Sequence, residues 1–312
     1  MHHTSVGHSP DSDARCPAIS VIVPVFNGEA LIARCLGSLT AQSMRDMEIL
    51  VVCKPGKDKT LEQIRAVGDP RIRVLMQEED TGPGGARNMG IQAASGTYLG
   101  FVEADDVVDG HFYEALQSRA ELHGADIAFA GTLCNGRALV VHDEERTLSG
   151  FADIVSRLVN GASFDKLFRA SLIREHHIRF SEGVRWEDNI FLLRAVHACR
   201  NVVTVPHVFY HYFPGQWTEA SRRRLERDAV SVVHEIADFA RDAALSPEDM
   251  TVLRDFVFRS FALCVWDDAS VYRAMKHRFG VPLPLMFRHY RKRVGRLWRE
   301  AGQAVDKGVR HG

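Results

Sequence analysis

Four carboxylates, Glu103, Asp105, Asp106 and Asp109, fall within seven residues after the mostly apolar run Tyr98–Val102 in "TYLGFVEADDVVDG". Like charges that close repel one another, and the run before them reads as a strand that must be buried. A cation, or a phosphate carrying one, would offset the cluster. Mg²⁺ and Mn²⁺ take hard oxygen ligands and are usually held by one or two carboxylates together with substrate phosphates. Glu103 and Asp105 leave the strand end two residues apart, so both can face one site. We assign Asp105 to a metal, Mn²⁺ or Mg²⁺, and read Asp109 as the N-cap of the helix that begins at "HFYEAL".

Two further stretches hold groups of the right kind. "TGPGGARNMG", Thr81 to Gly90, combines glycines, where backbone can approach a ligand, with Arg87 in the first turns of the helix that follows. Helix N-termini and guanidinium groups both attract phosphate. On its own the stretch reads as a turn with a surface arginine. "GVRWEDNIFLL", Gly183 to Leu193, sets Glu187 and Asp188 at a helix start. Acids are favoured there simply by the helix dipole. The chemical alternative is a general base that takes a proton from an attacking hydroxyl.

The elements that must position these groups follow from periodicity. "AISVIVPVFN" (18–27) and "MEILVVC" (47–53) are continuous apolar runs of strand length. Between them Leu31, Ile32, Cys35, Leu36 and Leu39 recur at helical spacing. "TLEQIRAV" continues as a helix, "RIRVLMQ" (71–77) as a strand, "GPGGARNMGIQAA" as a helix and "TYLGFVE" as a fourth strand. This alternation predicts a parallel sheet covered on both faces, with ligands beyond the carboxyl ends of its strands. The acidic cluster lies at such an end. Further on, "HFYEALQSRAELH" reads as helix, "DIAFAG" and "RALVVH" as strands, and "SGFADIVSRLVN" as helix. "SFDKLFRASLIREHHIRF" and "EDNIFLLRAVHACR" read as largely helical, and "NVVTVPHVFYHYF" (201–213) as a strand interrupted by Pro206. From Ser221 the chain is nearly all helix, with a start signal at "SPEDM".

Bulk composition narrows the class. The 312 residues carry a formal net charge of −1, with 46% hydrophobic and 25% charged residues. That is an ordinary globular balance, and no nucleic-acid signature is present. The six cysteines form no C-x-x-C pair, which points to reduced thiols and a cytoplasmic setting. The polar first residues (1–17) read as a flexible tail, not a signal peptide, and no apolar run is long enough for a transmembrane helix. Between Met286 and Gly312 there are eight Lys/Arg and two acids, with Phe287, Tyr290, Val294, Leu297 and Ala301 on one helical face. A packing helix with a solvated basic face is the plainer reading; peripheral contact with an anionic membrane or an acidic acceptor is the functional one.

Four motifs in order carry a family resemblance: "SVIVPVFN", "GPGGARN", "FVEADD" and "WEDNIFLL". Together they resemble the family 2 glycosyltransferases of GT-A fold. The likeness runs from about Ala18 to Thr218 and includes "FDKLFRASLIREHHIRF" and "FYHYFPGQWT". It implies an α/β fold with a mostly parallel sheet flanked by helices and a C-terminal helical extension. Residues 18–135 would then be the nucleotide-sugar half, 136–220 the acceptor half, and 221–312 a helical region that shapes the acceptor cleft or drives homo-oligomer formation. It implies an inverting transfer from a nucleotide-diphosphate sugar to an acceptor hydroxyl on a glycan, lipid-linked or small molecule. Asp188 is then the base with Glu187 beside it, and Asp105 holds the metal, with His211 as a second candidate ligand. Pro24, Phe26, Asn27, Cys53, Lys54, Arg87, Glu103, Ala104 and Asp105 would line the donor site. Trp186 and Trp217 would lie against a sugar ring.

Two departures bear on the donor. Cys53 and Lys54 stand in "CKPGKD" where this family usually has a pair of acids that help recognise base and ribose. Glu103 replaces an Asp. A catalytically degenerate protein that binds a sugar nucleotide or a partner is therefore the alternative. A sugar nucleotidyltransferase is set aside, because "GEALIARCL" after the first strand lacks the glycine-rich loop of that class.

Overall fold

A computed structural model describes residues 16–158, 161–215, 219–267 and 269–279. Every residue of β1 (Ile19–Val25) and β2 (Met47–Cys53) is buried. Their alternation shows why. Val21, Val23 and Val25 face one apolar layer with Ile49, Val51 and Cys53, while Ile22, Leu50 and Val52 face the other. Strands covered on both sides need apolar residues at every position, which is what the two runs supply.

The first half continues as α1 (Ile32–Thr40), α2 (Thr60–Val67), β3 (Ile72–Met76), α3 (Gly82–Ala93) and β4 (Tyr98–Phe101). Then come β5 (Val107–Val108), α4 (Phe112–Leu122), β6 (Ile127–Cys134), β7 (Arg137–Val140), β8 (Thr147–Leu148) and α5 (Phe151–Arg157). The rest comprises β9 (Lys166–Arg169), α6 (Ala170–Glu175), α7 (Glu187–Ala198), β10 (Val202–Tyr212), α8 (Glu219–Asp242), α9 (Pro247–Asp267) and α10 (Ala269–Phe279). Strand order is β3-β2-β1-β4-β9-β6-β10-β5, with β7 beside β6 and β8 beside β10. The pairs among β3, β2, β1 and β4 are parallel, as is β6 with β10.

One expectation is overturned. The stretch from 163 onward was expected to be helical, yet Lys166–Arg169 is a strand. It runs antiparallel between β4 and β6, pairing Leu99 with Phe168 and Ile127 with Phe168. Two parallel half-sheets would otherwise face each other with unpaired edges, and the insertion satisfies both. The tertiary gap outweighs local helix propensity here. Only the following Ala170–Glu175 is helical.

Two proline positions follow the hydrogen-bond ladder. β1 pairs with β2 as far as Val25, but with β4 only as far as Ile22. Pro24 shares the parity of Ile22, so its missing N–H falls where β4 has already ended. Pro206 sits in a register shift of β10 between Thr204 and Phe209, beside His207 at a left-handed φ of 59°. At the far end, Ser246 caps α9: its Oγ accepts from the Asp249 N–H at 3.1 Å and donates to the Asp249 carboxylate at 2.7 Å. Among the described residues no helix is long and apolar enough to cross a membrane. The basic stretch 286–312 and Trp217 lie outside the described residues.

Candidate active site

The four carboxylates at the end of β4 separate into different roles. Glu103 pairs with Arg87. Asp105 is half-buried and has no ion-pair partner among the described residues, while its carbonyl accepts from Arg34 at 2.5 Å. Burial, and then the neighbouring Glu103 charge, raises the Asp105 pKa above the ordinary carboxylate range. Ala104 lies half-buried on the turn between Glu103 and Asp105.

Asp106 turns inward and is fully buried, accepting from Tyr210 Oη at 2.6 Å and from the Phe213 N–H at 2.7 Å. Asp109 is not the cap expected of it. Its carboxylate accepts from the Phe209 N–H at 2.9 Å and meets His211 Nε2 at 2.7 Å, fastening β10 to the acidic loop. Asp109 thereby orients the His211 ring through Nε2, and the metal-ligand role expected of His211 would fall to its other ring nitrogen.

Burial pushes the Asp106 pKa up to about 7. The fold therefore favours the protonated acid. Its stabilising contribution is complete below about pH 4, shrinks as pH rises toward about 7, and is lost above that; the difference is on the order of 4 kcal/mol. We expect the ligand-free protein to lose melting temperature between pH 5 and 7.5, and Asp106→Asn to flatten that slope. Thermal melts across the range check it. Parallel slopes for the two proteins would refute the assignment.

The helix α3 begins at Gly82, so Gly82, Gly84 and Gly85 lie within its first turn. They serve protein contacts rather than an open cradle. A Cβ on Gly84 would run into the carbonyl oxygen of Ser181, so only glycine lets that backbone approach. Arg87 is 3% exposed. It points inward, pairs with both Glu103 and Glu187 (2.6 Å to the latter), and lies 5.1 Å from the Phe180 ring centroid. The sequence places Arg87 against the nucleotide; the structure uses it as a bridge beneath the site. Its fork geometry suits two carboxylates at once.

Arg87 thus joins the end of β4 to the start of α7. Trp186 precedes that helix in the left-handed region at φ 68°. Its indole donates to the Leu225 carbonyl at 3.3 Å and its ring packs 5.5 Å from Phe261, so it is tied to α8 and α9 rather than offered as a sugar platform. Phe191 of α7 stacks on Phe180 at 3.8 Å and meets Phe101 and Phe168 edge-on, seating the helix against β4 and β9. Glu187 turns to Arg87, and Asp188, half-buried, accepts from Ser163 Oγ at 2.8 Å. Burial raises both pKa values; the Arg87 guanidinium pulls both down and the Glu103 charge pushes Asp188 up. The same Glu103 charge raises Asp105 and Asp188, so the two acidic motifs share one electrostatic neighbourhood.

Beneath Asp188 runs a buried network that sequence reasoning missed. Lys166 donates to the Ala162 carbonyl at 2.7 Å and pairs with Asp165, which accepts from Thr132 at 2.7 Å. The Lys166 charge lowers the Asp188 pKa. The sequence carries no clear signal for this network: Phe164 and Phe168 stand at helical spacing, and the run reads as helix.

At the ends of β1 and β2 lies the proposed nucleotide side. Phe26 is 53% exposed, and Lys54 Nζ lies 4.4 Å from its ring centroid and 2.7 Å from Asp80. With its acid 69% exposed, the Lys54–Asp80 contact is a weak surface ion pair. Asn27 is exposed, at a left-handed φ of 50° that asparagine tolerates. Pro24 is buried. Cys53 is 2% exposed, with its thiol in the core and its pKa raised by burial, so it stands apart from the donor-facing surface assigned to it.

A mostly parallel half-sheet joined through an antiparallel strand to a second half, with acids at the junction, is the GT-A architecture. The UDP-GlcNAc complex of S. aureus TarS 1-349 superposes with a TM-score of 0.66 at 22% identity, covering 78% of this chain and 72% of that one. A mannosyltransferase from Pyrobaculum calidifontis, solved with GDP-Man and Mn²⁺, gives a TM-score of 0.58 at 17% identity, covering 94% and 81%. Residues 20–146 match the family model Glycosyl transferase family 2. The Bacillus subtilis protein named "Uncharacterized glycosyltransferase EpsJ" is 40% identical over 211 residues, 63% of this chain and 61% of that protein. The chain spans about three fifths of the length of the first curated relatives it matches.

Proposed function

We propose that the protein is an inverting glycosyltransferase acting on a nucleoside-diphosphate sugar and an acceptor hydroxyl. The carrying observation is the Arg87 bridge, which fastens Glu103 beside Asp105 to Glu187 beside Asp188. Asp188 takes the acceptor proton as the acceptor oxygen bonds to the anomeric carbon. The carbon–oxygen bond to the diphosphate breaks on the opposite side, and its electron pair leaves with the nucleotide. Lys54 and Phe26 lie on the nucleotide side, where a cation and an aromatic face suit a phosphate and a base.

The residues present fit a divalent cation held mainly by substrate. Asp105 is half-buried without an ion-pair partner, with Glu103 beside it, and no three His, Cys, Asp or Glu side chains converge as a protein cage among the described residues. A bound Mn²⁺ or Mg²⁺ there supplies positive charge toward the leaving diphosphate. Asp105→Ala is expected to weaken Mn²⁺-dependent donor binding by about tenfold or more, a loss of one carboxylate ligand. Calorimetric titration of a sugar-nucleotide panel, with and without Mn²⁺, measures it. Equal affinity in the variant would remove Asp105 from this role.

A non-catalytic sugar-nucleotide binder is the second reading, favoured by Cys53 and Lys54 in place of acids. Incubation with Mn²⁺ and the same panel separates the two. Slow donor hydrolysis supports the enzyme; binding with neither hydrolysis nor transfer supports the binder.

A further inference from the structure

The loop 181–186 that delivers Glu187 and Asp188 is gripped from two sides. From α3, the Asn88 side chain both donates to the Phe180 carbonyl and accepts from the Phe180 N–H, each at 2.9 Å. The Gly183 N–H donates to the Thr81 carbonyl at 2.8 Å. From α8, Glu235 accepts from Ser181 Oγ at 2.6 Å and from Arg194 at 3.0 Å. Asp228 accepts from the Arg185 backbone N–H at 3.0 Å, and the Leu225 carbonyl accepts from the Trp186 indole.

Leu225, Asp228 and Glu235 recur at helical spacing and share a stripe with Ala229, Val232 and Ile236, each fully buried. The apolar members already hold α8 on the molecule. The two acids add hydrogen bonds from acceptor oxygens that land on the loop. What they hold in place is strained: Trp186 keeps a left-handed backbone, which costs a bulky residue about 1–3 kcal/mol and persists only when its surroundings impose it. The residues immediately after it are Glu187 and Asp188.

We propose that α8 is a positioning element for the transfer, in which Asp228 and Glu235 fix loop 181–186, and through Trp186 set the placement of Asp188. This gives the C-terminal helices a task inside the reaction, and it rests on the function proposed above. Neither acid touches substrate in this account; both act through the loop.

The test pairs Asp228→Ala and Glu235→Ala, singly and together, with Asp228→Asn and Glu235→Gln, which keep an acceptor oxygen. Amide hydrogen exchange is followed without substrate, alongside kcat and donor KM. The alanine variants are expected to raise exchange across 181–188 by about tenfold while leaving β1 protected. They are expected to lower kcat by about 10- to 100-fold with donor KM within about twofold, as a misplaced base would. The amide variants restore both to within about threefold, because the oxygen rather than its charge is what the loop needs. Unchanged exchange in 181–188 overturns the proposal. So does raised exchange with unchanged kcat, or a kcat loss that the amide variants fail to restore. Should the double variant fail to fold, the two single variants decide by the same criteria. Because exchange is read without turnover, a wild type that transfers no sugar defeats the proposed function separately from this coupling.

Discussion

Asp188→Asn is expected to bind donor within about threefold of the wild type and to transfer sugar about 10²- to 10⁴-fold more slowly, the usual span for loss of a positioned general base. The substitution is nearly isosteric. An amide oxygen still accepts from Ser163, and the Arg87 bridge to Glu187 is untouched. What is lost is a group that can take a proton. The pH profile carries a second signature. Burial and the Glu103 charge raise the Asp188 pKa, and the base works only when ionised. Activity should therefore climb with pH along a limb displaced upward from that of an exposed aspartate. Steady-state transfer across pH, with donor affinity measured in parallel, checks both parts. Full activity in the variant would strip Asp188 of its role, and the proposed mechanism with it.

The elements legible in the sequence are those whose burial is written along the chain. β1 and β2 are apolar throughout because both faces are covered, and α1 shows one stripe because one face is. Cys53, expected at the donor site from the family pattern, is a core residue. It has the parity of Ile49 and Val51, and that face is core. β9 is not legible, because four residues carry little periodicity and their conformation is decided by the gap between β4 and β6.

The candidate site divides the same way. Its acids stand out because adjacent like charges at a strand end or a helix start need an explanation. Their partners do not. Arg87 reads as a surface arginine until Glu187 arrives from a hundred residues away, and Ser163 and Lys166 look unremarkable until the chain returns them beneath Asp188. Trp186 shows the converse: a residue type that suits a sugar platform is already used by the fold to join α7 to α8.

Arg87→Met tests how far the molecule depends on its central bridge. Removing one partner of a buried charge network leaves uncompensated charge, at a cost of about 3–5 kcal/mol. Here two carboxylates, Glu103 and Glu187, would be left facing each other, with Asp188 close by. Arg87→Lys should recover only part of the loss, since one ammonium on a flexible stem cannot match a fork that spans two acceptors. The combination Arg87→Met with Glu103→Gln and Glu187→Gln should regain most of the stability, because a neutral replacement removes the stranded charge. It should not regain transfer. Without the guanidinium and the Glu103 charge, the two influences that oppose each other at Asp188 are both gone, and nothing fastens the start of α7 to the acidic loop. Urea unfolding of the four proteins gives the stability differences, and transfer assays give the other half. A single Arg87→Met variant within about 1 kcal/mol of the wild type would mean that water or a shifted side chain already compensates the two acids, and the bridge would lose its claim to organise the site.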